Sequence, residues 1–449
     1  MFEYLEIVTG QFVGIVWGLP LVIALCFSGI FFTVYFGFPQ IRFFKHAIDI
    51  VSGKHSDGTH LSGEISHFQA LCTALSATVG LGNIAGVAIA ISLGGPGAVF
   101  WLWIAGFIGM ATKFTEVTLS LKYREISKTG HVHGGPMFTI KNGLPKKFYP
   151  LAWGYAFFVM LSSFGAGNMF QSNQMAQILQ TSLNIPTWIS GLFFAALAFL
   201  ILIGGIKRIG KVTEKLVPFM VGIYVVGALG IIIANYSNLF DIFYSIIHDA
   251  FNGTAAVGGF TGIAFKEVVI MGIRRASFSN EAGMGSAAMA HSAAKSAPAQ
   301  EGIVALLEPF IDTIVICSIT ALALLSTNAW TQAGIEGSEM TAWAFESIYG
   351  YWGRGIVTLT VTLFAFSTIV SWSYYGEQGV TFVFGEKYIP FYRYVFVAFI
   401  FVGAIAQLNL VLNVSDAVYG LLAIPNLIGT YLLLGQAKIS LNEYLEVKR

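Results

Sequence analysis

The chain has 449 residues, of which 56% are hydrophobic, 10% are charged and 39 are phenylalanine, with 24 Lys and Arg against 23 Asp and Glu. A soluble protein of this length needs far more charge to cover its surface. A soluble domain is therefore excluded and no nucleic-acid partner is expected; the net charge of +1 by itself says nothing about nucleic acid, and the distribution of charge along the chain matters instead. Cys26, Cys72 and Cys317 are odd in number and widely spaced within apolar segments, and read as packing residues rather than disulfide or metal ligands.

Eleven apolar segments are each long enough to cross a bilayer, near 11–38, 68–93, 97–122, 149–181, 186–206, 212–235, 260–294, 300–326, 352–384, 391–408 and 411–435. They are called spans 1–11 below. The start, Met1-Phe2-Glu3-Tyr4-Leu5-Glu6, lacks the basic region of a signal peptide, so span 1 is expected to be retained.

Span 2 contains Thr78-Val79-Gly80-Leu81-Gly82-Asn83-Ile84-Ala85-Gly86. Glycine in a helix interior costs roughly 0.5–1 kcal/mol relative to alanine, and three around an asparagine at membrane depth predict a broken helix. Such a break survives in hydrocarbon only against protein or a water-filled cavity, and in transporters it holds substrate and coupling ion. Free N–H groups near Gly80, Gly82 and Asn83 could face a carboxylate, and carbonyls from Ser76 to Val79, with Thr78 beside them, a cation or ammonium. A packing seam of the GxxxG type would account for Gly82 and Gly86, but not for Gly80, Thr78 or Asn83.

Span 3 follows the tight turn Gly94-Gly95-Pro96-Gly97 and carries Glu116 one turn from Lys113; a structural role, accepting N–H groups freed by a second break, is preferred for Glu116. In span 4, Phe164, Asn168, Gln171 and Met175 fall on one stripe of a regular helix and offer an amide face to a zwitterion; Gln174 and Gln177 fall elsewhere. Segments 236–259 and 331–350 read as interfacial helices. Span 7 carries a second interruption within Gly272-Ile273-Arg274-Arg275-Ala276-Ser277-Phe278-Ser279-Asn280-Glu281-Ala282-Gly283-Met284-Gly285. Met271, Gly272 and Ile273 are expected beside the substrate. Arg274 and Arg275 are expected in a cytoplasmic vestibule, paired with Glu281 or Glu116. Asp312 in span 8 and Asp416 in span 11 are candidate proton carriers. His131-Val132-His133 is weak as a metal site.

Lys and Arg cluster in the 1–2, 3–4 and 5–6 connections and at the C-terminus (Lys438, Lys448, Arg449), while the 2–3, 4–5, 6–7 and 10–11 connections carry almost none. The positive-inside rule then places the N-terminus outside and the C-terminus in the cytoplasm of a multi-pass plasma-membrane protein. The two breaks are five spans apart, so spans 2–6 and 7–11 form two inverted units (about 66–235 and 260–436), with residues 1–40 as an accessory span. Paired broken spans in inverted halves point to a secondary-transporter site.

The runs Ala77–Val87, Gly94-Gly95-Pro96-Gly97-Ala98-Val99-Phe100-Trp101 and Phe278–Ala287 resemble the alanine/glycine:cation symporter family over nearly the whole chain. The resemblance implies an all-α leucine-transporter fold with a 5+5 inverted repeat, sodium- or proton-coupled uptake, and small neutral amino acids such as alanine and glycine as substrates. By analogy with the wider fold, a sodium ion would lie among the hydroxyls of Ser367 and Thr368, a carbonyl near Phe364, and those of Ser76 or Ala77 and Val79. Trp372, one turn beyond Thr368, would then limit substrate size. No cofactor is expected beyond the co-transported ion. Walker loop, metal-spaced histidines and nucleophile–base pair are all missing, so an enzyme is not expected. An ion channel is the rival reading, and would show charge rings or a carbonyl filter repeated by subunit symmetry.

Overall fold

The computed structural model describes residues 2–54, 62–128, 130–253 and 264–447, without the side chains of 2–7 and 408–410. Lys448, Arg449 and residues 254–263, the expected end of the first interfacial segment and start of span 7, lie outside the described residues. The protein is built from helices: among the described residues seven segments are long and apolar enough to cross a membrane, or eight if one bent pair is a single span. One two-residue hairpin, Glu125–Ile126 with Val132–His133, is the exception.

Span 1 comprises α1 (Phe2–Val16) and α2 (Leu19–Tyr35). Span 2 is the bent pair, α3 (His67–Thr78) and α4 (Val87–Gly94), turning by 49°. A capping box starts α3: the Ser66 hydroxyl accepts from the Gln69 N–H and the Gln69 side chain accepts from the Ser66 N–H, both at 3.2 Å. Span 3 is α5 (Gly97–Lys122), entered through Gly95 at φ +67, a left-handed value open to glycine.

Span 4 is α6 (Tyr149–Phe164) and α7 (Phe170–Leu183), joined by a π-turn at Gly165–Met169. The short α8 (Thr187–Leu202) and the long α9 (Gly205–Ala234) follow. Helix α10 (Leu239–Asn252) falls in the first segment expected to be interfacial. Span 7 gives α11 (Phe265–Asn280), then an irregular stretch, then the single turn α12 (Ala288–Ser292).

Span 8 runs through α13 (Pro298–Ala305), a π-turn at Phe310–Cys317 and α14 (Ser318–Ser326). Helix α15 (Ser338–Tyr349) sits in the second expected interfacial segment but buries Met340, Ala342, Ala344 and Phe345. Span 9 is α16 (Tyr351–Phe384), whose 34 residues extend about 51 Å, well beyond a ~30 Å hydrocarbon layer. It packs against α3, α6, α7, α9 and α15 and forms the spine of the site. Helices α17 (Ile389–Ile405), α18 (Leu408–Leu421) and α19 (Ala423–Val447) complete the chain.

The outward faces of the bundle are apolar: Phe27, Ile30 and Val34 on α2, Leu192 and Phe193 on α8, and Val226 and Ile233 on α9 are all exposed. Stripes of that kind on long helices fit hydrocarbon as solvent.

Candidate transport site

Helix α3 ends at Val79, fully buried with ψ 84, and the chain turns before the π-turn Gly82–Gly86. Asn83 holds the turn. Its side-chain oxygen accepts the Gly80 N–H at 2.9 Å, and its amide donates to the Asp312 carbonyl at 3.0 Å and the Asp312 carboxylate at 2.6 Å. Asp312 lies in the π-turn of span 8, where wider hydrogen-bond spacing leaves backbone groups open to side-chain partners. Ser279 and Thr313 also donate to its carboxylate, at 3.0 and 2.7 Å. Gly80 is therefore not a free donor: Asn83 occupies its N–H and braces the break from behind.

In front of the break, Ala77, Thr78, Gly80, Gly82, Gln171 and Trp372 line a small cavity with Ala166, Phe278, Glu281 and Tyr419. Its volume of about 10 Å³ is room for about one water. An amino acid fits only if side chains at its wall withdraw. The Gln171 amide donates to the Ala166 carbonyl at 3.0 Å, while its oxygen is buried without a partner. Trp372 packs on Tyr419 and Tyr375, ring centroids 5.8 and 5.2 Å away. A Cβ on Gly80 would meet the Thr368 hydroxyl at 2.4 Å, too close to fit without a shift, and one on Gly82 the Ser279 Cα at 3.0 Å, a tight contact.

Beside Gly80, α3 and α16 exchange hydrogen bonds. The Ser76 hydroxyl donates to the Ser367 carbonyl at 2.8 Å. The Thr368 hydroxyl points at the carbonyls of Ser76 (3.1 Å) and Phe364 (2.9 Å), and that of Ser367 at the same two (3.4 and 2.9 Å). Four oxygens, two carbonyl and two hydroxyl, thus converge from two helices with no carboxylate among them. Ala77 faces the small cavity.

The structure places several of the expected site residues away from this cavity. Phe164 packs among Tyr392, Phe396 and Phe399 of α17, and the Asn168 amide donates to the Phe396 carbonyl at 2.7 Å; neither lines the cavity. The π-turn that follows Phe164 and contains Asn168 is the reason, because one inserted residue rotates the following helix by about 100° and breaks a stripe counted at regular spacing. Met271, Gly272 and Ile273 lie inside α11 rather than at a break. They pack in a separate apolar cluster, Gly272 against the Ala98 carbonyl and Trp101.

The irregular stretch comes later, with Glu281 at φ +59, Gly283 at φ +89 and Gly285 at φ +74. Arg274 and Arg275 pair with Asp416 rather than with Glu281 or Glu116. They face a pocket shared with Ser92, Leu93 and Glu336, the end of the bundle that holds the 2–3 connection, not the basic loops. Asp416 is correspondingly an ion-pair partner.

The second break is stapled by side chains. Asn426 donates to Glu116 at 2.6 Å and to the Gly283 carbonyl at 2.8 Å. The Tyr155 hydroxyl donates to the Met284 carbonyl at 2.8 Å, and Ser286 donates to Glu281 at 2.5 Å. Lys113 sits 2.9 Å from Glu308. Glu308 bonds His291, which lies 2.7 Å from Glu301, itself 2.5 Å from His67. His131 and His133 of the hairpin pair with separate carboxylates, Glu64 at 3.5 Å and Glu386 at 2.7 Å.

Phe278, Tyr419 and Ala166 are cavity residues that sequence reasoning passed over. Phe278 stands in the quoted motif and was within reach; Tyr419 and Ala166 had no local signal. The His67–Glu301–His291–Glu308–Lys113 chain was equally invisible, since its members come from α3, α5, α12, α13 and the turn following α13.

Comparison with known proteins agrees with this architecture. The sodium/alanine symporter AgcS of Methanococcus maripaludis is 41% identical over 440 residues, 97% of this chain and 96% of that one. A probable sodium/glutamine symporter, GlnT of Bacillus subtilis, is 34% identical and covers all of this chain and 92% of its own. Among solved structures, MhsT in complex with L-phenylalanine superposes with a TM-score of 0.60 at 14% identity, covering 83% of this chain and 90% of MhsT. A manganese transporter of Eremococcus coleocola gives 0.52 at 13% identity, covering 86% and 82%. These likenesses show a leucine-transporter-type fold. The sodium:alanine symporter family matches residues 2–449, and the chain belongs to that family of multi-pass membrane transporters, which are not enzymes.

Proposed function

We propose that the protein couples inward sodium flux to the uptake of small neutral amino acids, alanine and glycine, by alternating access. The observation that carries this reading is the oxygen group of Ser76, Phe364, Ser367 and Thr368 adjoining the cavity at the span-2 break. Neutral oxygens suit a hard monovalent cation, and with no carboxylate in the group the ion adds its whole charge to the loaded carrier. The sodium/alanine symporter AgcS, similar over nearly its whole length, supports the same assignment.

The substrate's carboxylate would meet the N-terminal end of the outer half of span 2 at Gly82, with Gln171 and Thr78 at hand. Trp372, Phe278 and Tyr419 would cap the side chain, and so small a cavity favours a methyl group or a hydrogen. Eleven spans in two inverted five-span units after an accessory first span, N-terminus outside and C-terminus cytoplasmic in the plasma membrane, complete the proposal. The charge distribution of the loops supports it.

One cation moving in at 100 mV releases roughly 2.3 kcal/mol, and a tenfold gradient adds about 1.4 kcal/mol. The total of about 3.7 kcal/mol accumulates a net-neutral substrate several-hundredfold at one-to-one coupling. A proton is the alternative ion, and Asp312, hydrogen-bonded to the residue that caps Gly80, is the group that would take it. Uptake into proteoliposomes decides between them. Alanine accumulation driven by a sodium gradient at equal pH is expected; accumulation that ignores sodium and follows a pH gradient would transfer the coupling role to Asp312.

A further inference from the structure

A row of ionisable side chains leads from the start of α3, at the end of the bundle that holds the basic loops, toward the second break. His67 opens the row, its side chain 19% exposed, with Nδ1 2.5 Å from Glu301 Oε2. The other Glu301 oxygen lies 2.7 Å from Nδ1 of His291, whose Nε2 bonds Glu308 Oε1. Glu308 Oε2 faces Lys113 Nζ at 2.9 Å. Beyond His67 every member is fully buried.

Each of these carboxylates engages both its oxygens and His291 both its nitrogens, so the row has no gap between His67 and Lys113. An imidazole can take a proton on one nitrogen and release one from the other. Among the described residues Lys113 Nζ has no well-aligned hydrogen-bond partner to fix its direction, and it lies within electrostatic reach of Glu116 and Glu281 as well as Glu308. Glu281 is the one acid among the described residues lining the cavity at the span-2 break. Around the row stand the acids Glu116, Glu281, Glu301, Glu308 and Asp312, the bases His67, Lys113, Arg124 and His291, and the hydroxyls of Tyr155, Tyr375 and Tyr419. With one acid more than there are bases, the group can hold an extra proton without burying net positive charge, which would be costly. Stapling the break needs only Lys113 and Glu308; Glu301 and the two histidines extend the row to water.

We propose that this row is a proton path between the cytoplasm and Glu281, and that Glu281 gives up a proton when sodium and amino acid fill the cavity and takes it back when they leave. A carboxylate facing an empty apolar cavity is costly, whereas a sodium ion and an ammonium beside it favour the charged form. On loading, Lys113 hands a proton to Glu308 and takes the one leaving Glu281. Glu308 passes its proton to His291, and Glu301 and His67 relay it to cytoplasmic water; unloading runs the same steps backwards. The proton returns to the side it came from, so sodium remains the one ion moved net and the charge crossing per cycle is unchanged. The proposal rests on the reading of the cavity as the transport site, and its test separates the two.

The test mixes purified protein with alanine in sodium-containing, weakly buffered solution at pH 7 and follows a pH indicator by stopped flow, with alanine affinity measured in parallel. The parent is expected to release up to one proton per alanine bound, and Glu281→Gln at least tenfold fewer. His67→Ala should bind alanine with unchanged affinity and release as many protons as the parent, at least tenfold more slowly, and millimolar imidazole should restore the rate. That rescue is a signature a merely structural histidine would not give, and it decides the matter should Glu281→Gln fail to fold. A parent that binds alanine without releasing a proton overturns the proposal, as does Glu281→Gln with the parental proton count or His67→Ala with the parental rate. If Gly80→Leu loses alanine binding while the parent releases no proton, the cavity reading stands and this one falls. If Gly80→Leu binds alanine and releases protons as the parent does, both fall.

Discussion

The two interrupted spans are held open by different chemistry. At the first break the chain turns on glycine, Asn83 caps the freed Gly80 N–H, and the contacts across to α16 are hydroxyl to carbonyl; the acid behind it, Asp312, touches Asn83 rather than the cavity. At the second, carboxylates and their partners crowd the turn: Glu116 through Asn426, Glu281 through Ser286, and beyond them Lys113, Glu308, His291 and Glu301. Neutral bonds across a helix pair are individually weak in membranes, about 0.6 kcal/mol on average. Buried ion pairs are costly to separate, since each half would be left as an uncompensated charge. The first break is thus joined to α16 by contacts that are individually cheap to exchange, and the second is held by buried charges from α5, α12, α13 and the turn following α13.

The contrast can be broken most severely at Gly80. Gly80→Leu places a side chain where even a Cβ would lie 2.4 Å from the Thr368 hydroxyl. Sodium-dependent alanine binding at the cavity should fall at least a hundredfold, about 2.8 kcal/mol, in a protein that still inserts and elutes as a monodisperse peak. Retained affinity at that site would show that the break only packs helices.

Lys113→Met attacks the other region. It leaves Glu308 buried without its 2.9 Å partner, and a broken buried pair costs about 3–5 kcal/mol. The melting temperature should drop sharply, and adding Glu308→Gln should recover part of the loss. A neutral outcome for Lys113→Met alone would mean that the charges do not staple the second break.

A smaller effect is expected from Thr368→Ala, which removes one of four converging oxygens. The sodium concentration for half-maximal uptake should rise roughly tenfold, about 1.4 kcal/mol, with little change in which amino acid is preferred. A shift in amino-acid preference without a shift in sodium dependence would move the cation elsewhere. Trp372→Ala should give the mildest change, about a fivefold relative gain for 2-aminobutyrate over alanine, because the single methylene by which they differ discriminates by only about 1–3 kcal/mol in an apolar pocket. Unaltered preference in competition uptake would remove Trp372 from the substrate wall.

The sequence by itself determined that the chain crosses a membrane, that span 2 breaks between Val79 and Asn83, and that Ser367 and Thr368 are hydroxyls on an otherwise apolar span. These are local properties: hydropathy over some 20 residues, glycine's cost in a helix, and residue type. Tertiary structure alone decided the rest. The π-turn at Gly165–Met169, which itself holds Asn168, takes Phe164 off the Gln171 face, because one extra residue in a turn rotates everything after it and leaves no mark in composition. Within Gly272–Gly285 the interruption of span 7 falls at Glu281–Gly285, where the backbone of Glu281, Gly283 and Gly285 turns left-handed, while Gly272 lies inside α11 close to Ala98. Arg274 and Arg275 reach Asp416 across some 140 residues of chain, and no spacing rule connects groups whose nearness arises only when separate helices pack.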